Sequence, residues 1–150
     1  MAPSSRENGF SLVELMVVSG VIAIMAGIAV PSITSAMRQY NVTSASQDVA
    51  ATIRAARVQA VGKNSVVRVD LDVAARTYQL WNVGADVALG GEVPLPTGIE
   101  FVDADNDVDF STSGRLQNPG LAPITIIVGN GDESQNRTIT VTASGRVQLN

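Results

Sequence analysis

The chain contains neither cysteine nor histidine among its 150 residues. Without cysteine, a disulfide framework and a thiolate zinc site are excluded. Without histidine, Ser–His and Cys–His nucleophilic catalysis and imidazole metal ligands are excluded as well. Most hydrolase mechanisms therefore do not apply, and we expect neither enzymatic activity nor a cofactor.

Aromatic residues make up only 4% of the chain, and Lys63 is the single lysine. The net charge of −4 argues against a broad nucleic-acid-binding face, although a local basic cluster would be compatible with it. Hydrophobic residues account for 45%, and much of that share lies before residue 31. The remainder has the composition of an ordinary soluble domain with few aromatic side chains.

The most apolar part of the chain is Phe10–Val30. As a helix this stretch would span about 30 Å, the thickness of a bilayer hydrocarbon core. Glu14 lies near its start, and no charged residue follows between Leu15 and Met37. A carboxylate inside a membrane helix is costly and usually marks a function, so Glu14 requires an explanation.

Two ordinary explanations compete for this segment. A secretory signal peptide would be cut after Ala29, where Gly27-Ile28-Ala29 satisfies the small-residue rule. Against it, Arg6 in the preceding stub is offset by Glu7, and Glu14 falls where the apolar region should begin. A plain membrane anchor, the second explanation, gives no reason for Glu14.

The stretch "GFSLVELMVV" from Gly9, followed by an apolar run and Pro31, resembles the N-terminus of type IV pilins and type II secretion pseudopilins. The resemblance implies that prepilin peptidase cuts after Gly9 and methylates the new amino group of Phe10. It also implies a filament-assembly role for Glu14, whose charge the N-terminal amine of a neighbouring subunit would neutralise. Pro31 would be the helix-bending proline of the family.

The same resemblance implies a domain organisation and a location. We expect a leader at 1–9, a transmembrane and filament-core helix at 10–30, its amphipathic continuation at 31–62 and a periplasmic β domain at 63–150. The protein would cross the bacterial inner membrane once and would later reside in a pilus or pseudopilus. Its partners would be prepilin peptidase, other major and minor pilins or pseudopilins, and the inner-membrane assembly platform.

Hydrophobic periodicity predicts an α+β fold. After Pro31, apolar residues recur at three- and four-residue steps until Gly62, which indicates an amphipathic helix; they are Ile33, Met37, Tyr40, Val49, Ile53, Ala56 and Ala60. From residue 65 the period becomes two, which predicts antiparallel strands. The predicted strands are 65–72, 76–83, 92–95, 99–102, 108–111, 124–128 and 137–142, separated by turn sequences.

"AARVQAVGKNSVVRVDLD", together with the elements at 110–115 and 144–147, resembles the GspH/FimT group of minor pilins and pseudopilins. This resemblance implies a protein that takes part in assembly or priming of a type IV pilus or type II secretion pseudopilus. The alternative that it implies is a minor pilin that captures DNA during natural transformation. Residues 82–107 resemble no family pattern.

"DADNDVD" places four aspartates at alternate positions, Asp103, Asp105, Asp107 and Asp109. Calcium prefers such oxygen clusters, and the resemblance adds that some major pseudopilins bind calcium in a loop. An EF-hand loop counted from Asp103 would need glycine in place of Val108 and glutamate in place of Gly114. A solvated acidic loop is therefore favoured over a metal site.

Two related sequences, "STSGRLQ" and "TASGRVQ", predict turns that expose Arg115 and Arg146. A guanidinium at such a tip can grip phosphate or carboxylate in a bidentate manner. In the FimT branch a Gly-Arg-x-Arg element is linked to DNA capture, but Gln148 replaces the second arginine in this chain. Arg115, Arg137 and Arg146 are the candidate DNA contacts, and structural turns are the favoured explanation.

Overall fold

The computed structural model describes residues 10–104, 107–117, 120 and 122–150. Within these residues one long α-helix precedes nine strands, so the predicted α+β fold is confirmed. The chain divides into two compact units, with the boundary between Met37 and Arg38. The described part of the first unit is almost entirely helix, and the second contains the rest of the helix and every strand.

Helix α1 extends over Leu12–Lys63. Ser11 caps its start, because the Glu14 N–H donates to the Ser11 hydroxyl at 3.4 Å and the Leu15 N–H donates to the Ser11 carbonyl at 3.1 Å. The helix ends where Asn64 adopts a left-handed φ of 47°, and the Ser65 N–H donates back to the Ala60 carbonyl. The helix is continuous through Pro31, as predicted.

The first sheet is antiparallel and is formed by β1 (Val67–Asp72), β2 (Thr77–Asn82), β3 (Val87–Ala88), β4 (Val93–Pro94) and β6 (Val108–Phe110). The strand order is β3-β2-β1-β6, with β4 also paired to β2. Val67, Val69 and Leu71 are buried, so the intervening Arg68, Asp70 and Asp72 lie on the outer surface of this sheet.

The second sheet is antiparallel and is formed by β5 (Glu100–Asp103), β7 (Ile124–Gly129), β8 (Arg137–Val141) and β9 (Val147–Leu149). These strands follow the order β5-β7-β8-β9. A bulge between Phe101 and Asp103 shifts the register of β5 against β7. A short 3₁₀ helix, Glu133–Gln135, lies in the β7–β8 connection and is capped by the Asp132 side chain.

One hydrophobic core joins the helix to the inner residues of both sheets. The helix contributes a stripe of buried residues at helical spacing: Val42, Ala45, Ser46, Val49, Ala50, Ile53, Ala56 and Ala60. Ser46 tolerates burial because its hydroxyl donates to the Val42 carbonyl at 2.6 Å. This packing, rather than helix propensity alone, stabilises the second half of α1.

One expectation about local structure was wrong, and two short strands were missed. Ile33, Met37 and Tyr40 do not belong to the packed face, since each is more than half exposed and burial begins at Val42. Strands β3 and β9 were not predicted, because each is only two or three residues long and is defined by its pairing partner. All of the predicted strands are confirmed, and their ends agree within one or two residues.

Candidate functional site

The first described residue, Phe10, lies just before the capped start of α1 and is 84% exposed. Gly9 lies outside the described residues. Glu14 occupies the first helical turn and is exposed, so its carboxylate is at the end of the helix where the macrodipole favours negative charge. The structure therefore presents Phe10 and Glu14 together at the helix N-terminus, where a partner can reach both.

The apolar segment after Glu14 has no packing partner among the described residues of the chain. Large hydrophobic side chains from Leu12 to Val30 are exposed, and the most apolar part of α1 is not buried against other described residues. Its length and composition suffice to cross a membrane, although a signal sequence would meet the same criteria. Pro31 lies within α1 just after this segment.

Arg68 forms ion pairs with two carboxylates of the acidic stretch that leads into β6. Its Nε and Nη2 donate to the two carboxylate oxygens of Asp109 at 2.7 and 2.8 Å, a bidentate pair, and Nη1 lies 3.6 Å from Asp107. Asp103 is exposed at the end of β5, and Asp105 lies outside the described residues. Within the described ranges no group of three acidic side chains could hold a metal ion.

The contacts in this network shift the pKa values of Arg68 and Asp107. The hydrogen bonds to Asp109 raise the pKa of Arg68 above its ordinary value. Burial raises the pKa of Asp107, although the hydrogen bond that its carboxylate accepts from the Leu71 N–H at 3.2 Å acts in the opposite direction. The arrangement is that of a structural ion pair that holds β6 beside β1.

The two Gly-Arg sequences form turns of the same construction. In the first, the Ser111 N–H donates to the Arg115 carbonyl and the Gly114 N–H to the Ser111 carbonyl, each at 2.8 Å. In the second, the Thr142 N–H donates to the Arg146 carbonyl at 3.0 Å and the Gly145 N–H to the Thr142 carbonyl at 2.8 Å. Both glycines have positive φ, 72° and 76°, which explains why glycine is required.

We call these the paired turns (111–115 and 142–146), because they contact each other. The Leu116 N–H donates to the Ala143 carbonyl at 3.2 Å, and a Cβ on Gly145 would collide with the Gly114 carbonyl oxygen. Arg57 of α1 donates from Nε to that same oxygen at 2.9 Å. The paired turns are thereby fixed to the helix and to each other.

Arg115 and Arg146 are both exposed, and each directly follows the glycine of one of the paired turns. Arg137 does not join them, since it begins β8 and the second turn follows the other end of that strand. No sequence pattern indicated a role for Arg57, because that role depends on a contact with Gly114 across the fold. The duplicated serine-glycine-arginine pattern was the available signal, and it indicated the turns but not their contact.

A polar cleft of ≈ 480 Å³ lies between α1 and two loops. Arg38 and Asn41 line it from the helix, opposite Thr97 and the 130–135 segment. Hydrogen bonds from Ser134 hold the pKa of Asp132 below its ordinary value, and Arg38 adds to this effect. The Asp132 carboxylate is occupied as the cap of the 3₁₀ helix, where it accepts hydrogen bonds from the Ser134 N–H and hydroxyl.

Comparison with protein families gives two matches. Residues 4–30 match the prokaryotic N-terminal methylation motif, which spans Gly9, Phe10 and Glu14. Residues 45–145, which include the second half of α1 and nearly all of the strands, match the type II transport protein GspH family. A comparison with curated proteins gives no match.

Solved structures show the same fold. The type IV minor pilin FimU of Pseudomonas aeruginosa aligns with a TM-score of 0.61 and 17% identity, over 73% of this chain and 87% of that one. The minor pseudopilin EpsH from the type 2 secretion system of Vibrio cholerae aligns with a TM-score of 0.58 and 15% identity, over 73% and 96% respectively. The methylation motif, the matched domain and the shared fold lead to one conclusion: the chain belongs to the GspH family and is a GspH/FimT-like minor pilin or pseudopilin.

Proposed function

We propose that this protein is cleaved after Gly9, methylated on Phe10 and inserted as a structural subunit into a type IV pilus or a type II secretion pseudopilus. The observation that carries the proposal is the methylation motif at 4–30, which overlaps an apolar helix that packs against nothing among the described residues of its own chain. Such a surface requires a bilayer or other apolar helices around it.

In this proposal the chain has four parts. Residues 1–9 are the leader, 10–30 cross the inner membrane and then form the filament core, 31–62 continue the helix, and 63–150 form the periplasmic domain. Prepilin peptidase, the assembly platform and neighbouring pilins or pseudopilins are the partners. The role is structural rather than catalytic, in agreement with a family of structural proteins.

Glu14 has a specific role in this proposal. Its carboxylate would be costly among apolar helices unless an opposite charge accompanied it. The methylated amine of Phe10 from a neighbouring subunit is a cation that enters the same apolar environment. Pairing the two would offset the cost and set the register between subunits.

The proposal is tested by the intact mass and the first residue of the protein recovered from bacterial membranes. A chain that begins with N-methylated Phe10 supports it. A chain that begins at Val30 would mean that a signal peptide is removed, and a chain that keeps residues 1–9 would mean a plain anchor. Either result would contradict the proposal.

Gly9→Leu should abolish the cleavage and leave the full-length mass. Gly20→Leu is the matched control, because a side chain at Gly20 meets nothing within 4 Å and the site is far from the cleavage point. Processing of Gly20→Leu should equal that of the wild type. Blocked processing in both variants would indicate misinsertion rather than a cleavage site at Gly9.

A further inference from the structure

The acidic and basic residues of this chain are strongly segregated. Three segments, 49–69, 110–131 and 134–150, contain no aspartate or glutamate, although the chain as a whole carries a net charge of −4. The same three segments hold every lysine and arginine except Arg6, Arg38 and Arg76. The fold brings parts of the three segments together, since the paired turns come from two of them and Arg57 from the third, whereas Arg68 lies apart among the carboxylates of the first sheet.

The result is a surface that we call the basic face, formed by Arg54, Arg57, Val58, Val61, Arg115 and Arg146. The four helix residues are spaced at three and four positions, so they form one exposed strip along α1. The Val61 side chain borders Gly114, which places the strip beside the paired turns.

Within the part of the chain that the structure describes, the cations of the basic face have few charged partners. Among the described residues, Arg54, Arg115 and Arg146 form no ion pair and no side-chain hydrogen bond, while Arg57 uses only Nε. Val58 and Val61 are 71% and 53% exposed between these guanidinium groups. Guanidinium groups interleaved with aliphatic side chains are typical of protein interfaces, where arginine is enriched.

A second surface of the same domain has the complementary charge. We call it the acidic face: the outer surface of the first sheet with Asp70, Asp72, Asp107 and Asp109. Of the cations that the structure describes, only Arg68 pairs with these carboxylates, and it is already shared between Asp109 and Asp107. Asp70 and Asp72 are exposed and have no cation partner within the described ranges.

We infer that the basic face binds the acidic face of a second copy of this chain. The two surfaces share no residue and lie on different parts of the domain, so the contact is heterologous and leaves one face free on each subunit. It rests on the assembly function proposed above, yet it involves only the domain after Met37.

A protein partner fits the basic face better than a nucleic acid. The exposed valines offer apolar contacts, and none of the residues that form the face is aromatic and able to stack with a base. The net charge of −4 opposes the long-range attraction of a polyanion, whereas opposite faces of two subunits attract each other locally.

The absence of cysteine allows a direct test by crosslinking. Val58→Cys marks the basic face and Val73→Cys, beside Asp72, marks the acidic face. The two full-length proteins, one with a tag that changes its size, are mixed in detergent and treated with a short bismaleimide. The expected product is the mixed dimer that joins the V58C protein to the V73C protein, in at least a severalfold excess over the dimer of two V58C proteins.

Ionic contacts at an exposed interface weaken with salt, so the mixed dimer should decrease severalfold between about 0.05 M and about 0.5 M NaCl. Arg115→Glu combined with Arg146→Glu in the Val58→Cys protein should reduce it about tenfold or more. Asp70→Arg combined with Asp72→Arg in the Val73→Cys protein should restore it. Arg38→Glu, which changes charge at the cleft instead, should have no effect.

Equal yields of the two dimers, or a mixed dimer that is insensitive to the double reversal at the paired turns, would overturn the inference. A second result would also overturn it: the protein retards duplex DNA in a gel, Arg115→Glu combined with Arg146→Glu abolishes this retardation, and no mixed dimer forms. The basic face would then bind nucleic acid. Circular dichroism of each variant shows whether it is folded. The intact mass and the first residue of the protein in the same preparations report whether the leader has been removed. Failure of this contact is therefore distinguishable from failure of the proposed function.

Discussion

Arg57 Nε donates a hydrogen bond of 2.9 Å to the carbonyl oxygen of Gly114, and the same nitrogen lies 3.1 Å from the position of a Cβ on Gly145. A single helix side chain thus touches both of the paired turns. A Cβ on Gly145 would collide with the Gly114 carbonyl oxygen, and a Cβ on Gly114 would lie only 3.0 Å from the Val61 side chain. The Arg57 contact fixes the connections that follow β6 and β8. The stability of this region should therefore depend on Arg57 and on both glycines.

Arg57→Ala should lower the free energy of unfolding by about 1–2 kcal/mol, because the Gly114 carbonyl loses a charged donor in a partly buried position. Arg57→Lys should not restore it, since an ammonium cannot reproduce the planar Nε–H donor. Denaturant unfolding of the full-length protein in detergent measures the difference. Arg54→Ala, one turn earlier and exposed, is the control and should change stability by less than about 0.5 kcal/mol.

Gly145→Ala should destabilise the domain by about 2 kcal/mol or more. The new Cβ would collide with the Gly114 carbonyl oxygen, and the φ of 76° is itself unfavourable for alanine. Gly98→Ala provides the comparison, because its φ of 81° is similar but no atom lies within 4 Å of the Cβ. Its cost should be about 1 kcal/mol. Equal losses in thermal or denaturant unfolding would show that the paired turns are not in contact.

Asp109→Asn should cost about 1 kcal/mol at neutral pH, since it breaks the bidentate pair with Arg68 on a surface that solvent still reaches. The loss should decrease as salt screens the ion pair. Denaturant unfolding of both proteins at about 0.05 M and about 1 M NaCl measures the difference. A loss that does not change with salt would contradict the ionic origin of the contribution.

Asp107→Asn should change how the stability of the domain depends on pH. Burial raises the pKa of Asp107, so the folded state binds its proton more tightly than the unfolded chain does. The resulting stabilisation is present below about pH 4 and is lost as the pH rises through the raised pKa. Relative to the wild type, the variant should therefore gain stability between low and neutral pH. Denaturant unfolding at several pH values measures the gain, and a relative loss over the same range would contradict it.

Glu14→Ala should be processed normally and yet be absent from filaments. The substitution leaves Gly9 and Phe10 unchanged, but it removes the carboxylate that we propose as the partner of a neighbouring amine. Mass spectrometry of membranes reports processing, and immunoblotting of sheared filaments reports incorporation. Ser19→Ala is the control in the same helix, because the Ser19 hydroxyl donates to the Leu15 carbonyl of its own helix. Normal incorporation of Glu14→Ala would refute the role of the carboxylate.

The sequence by itself determined most of the elements and indicated the family. Local patterns predict helix or strand without knowledge of the fold, as in the uncharged run after Glu14, the helical spacing of Val49, Ile53, Ala56 and Ala60, and the alternation in 67–72. The N-terminal motif was recognisable for the same reason, because Gly9, Phe10 and Glu14 stand close together along the chain.

Only the tertiary structure decided which distant residues meet. The pairing of Arg68 with Asp109, the joining of both turns by Arg57 and the separation of Arg137 from Arg115 and Arg146 all depend on strand order and register. Strand β9 forms because it pairs with β8. Ile33 is exposed because the core begins only at Val42. Periodicity shows that a residue prefers a face, whereas the fold determines what that face contacts.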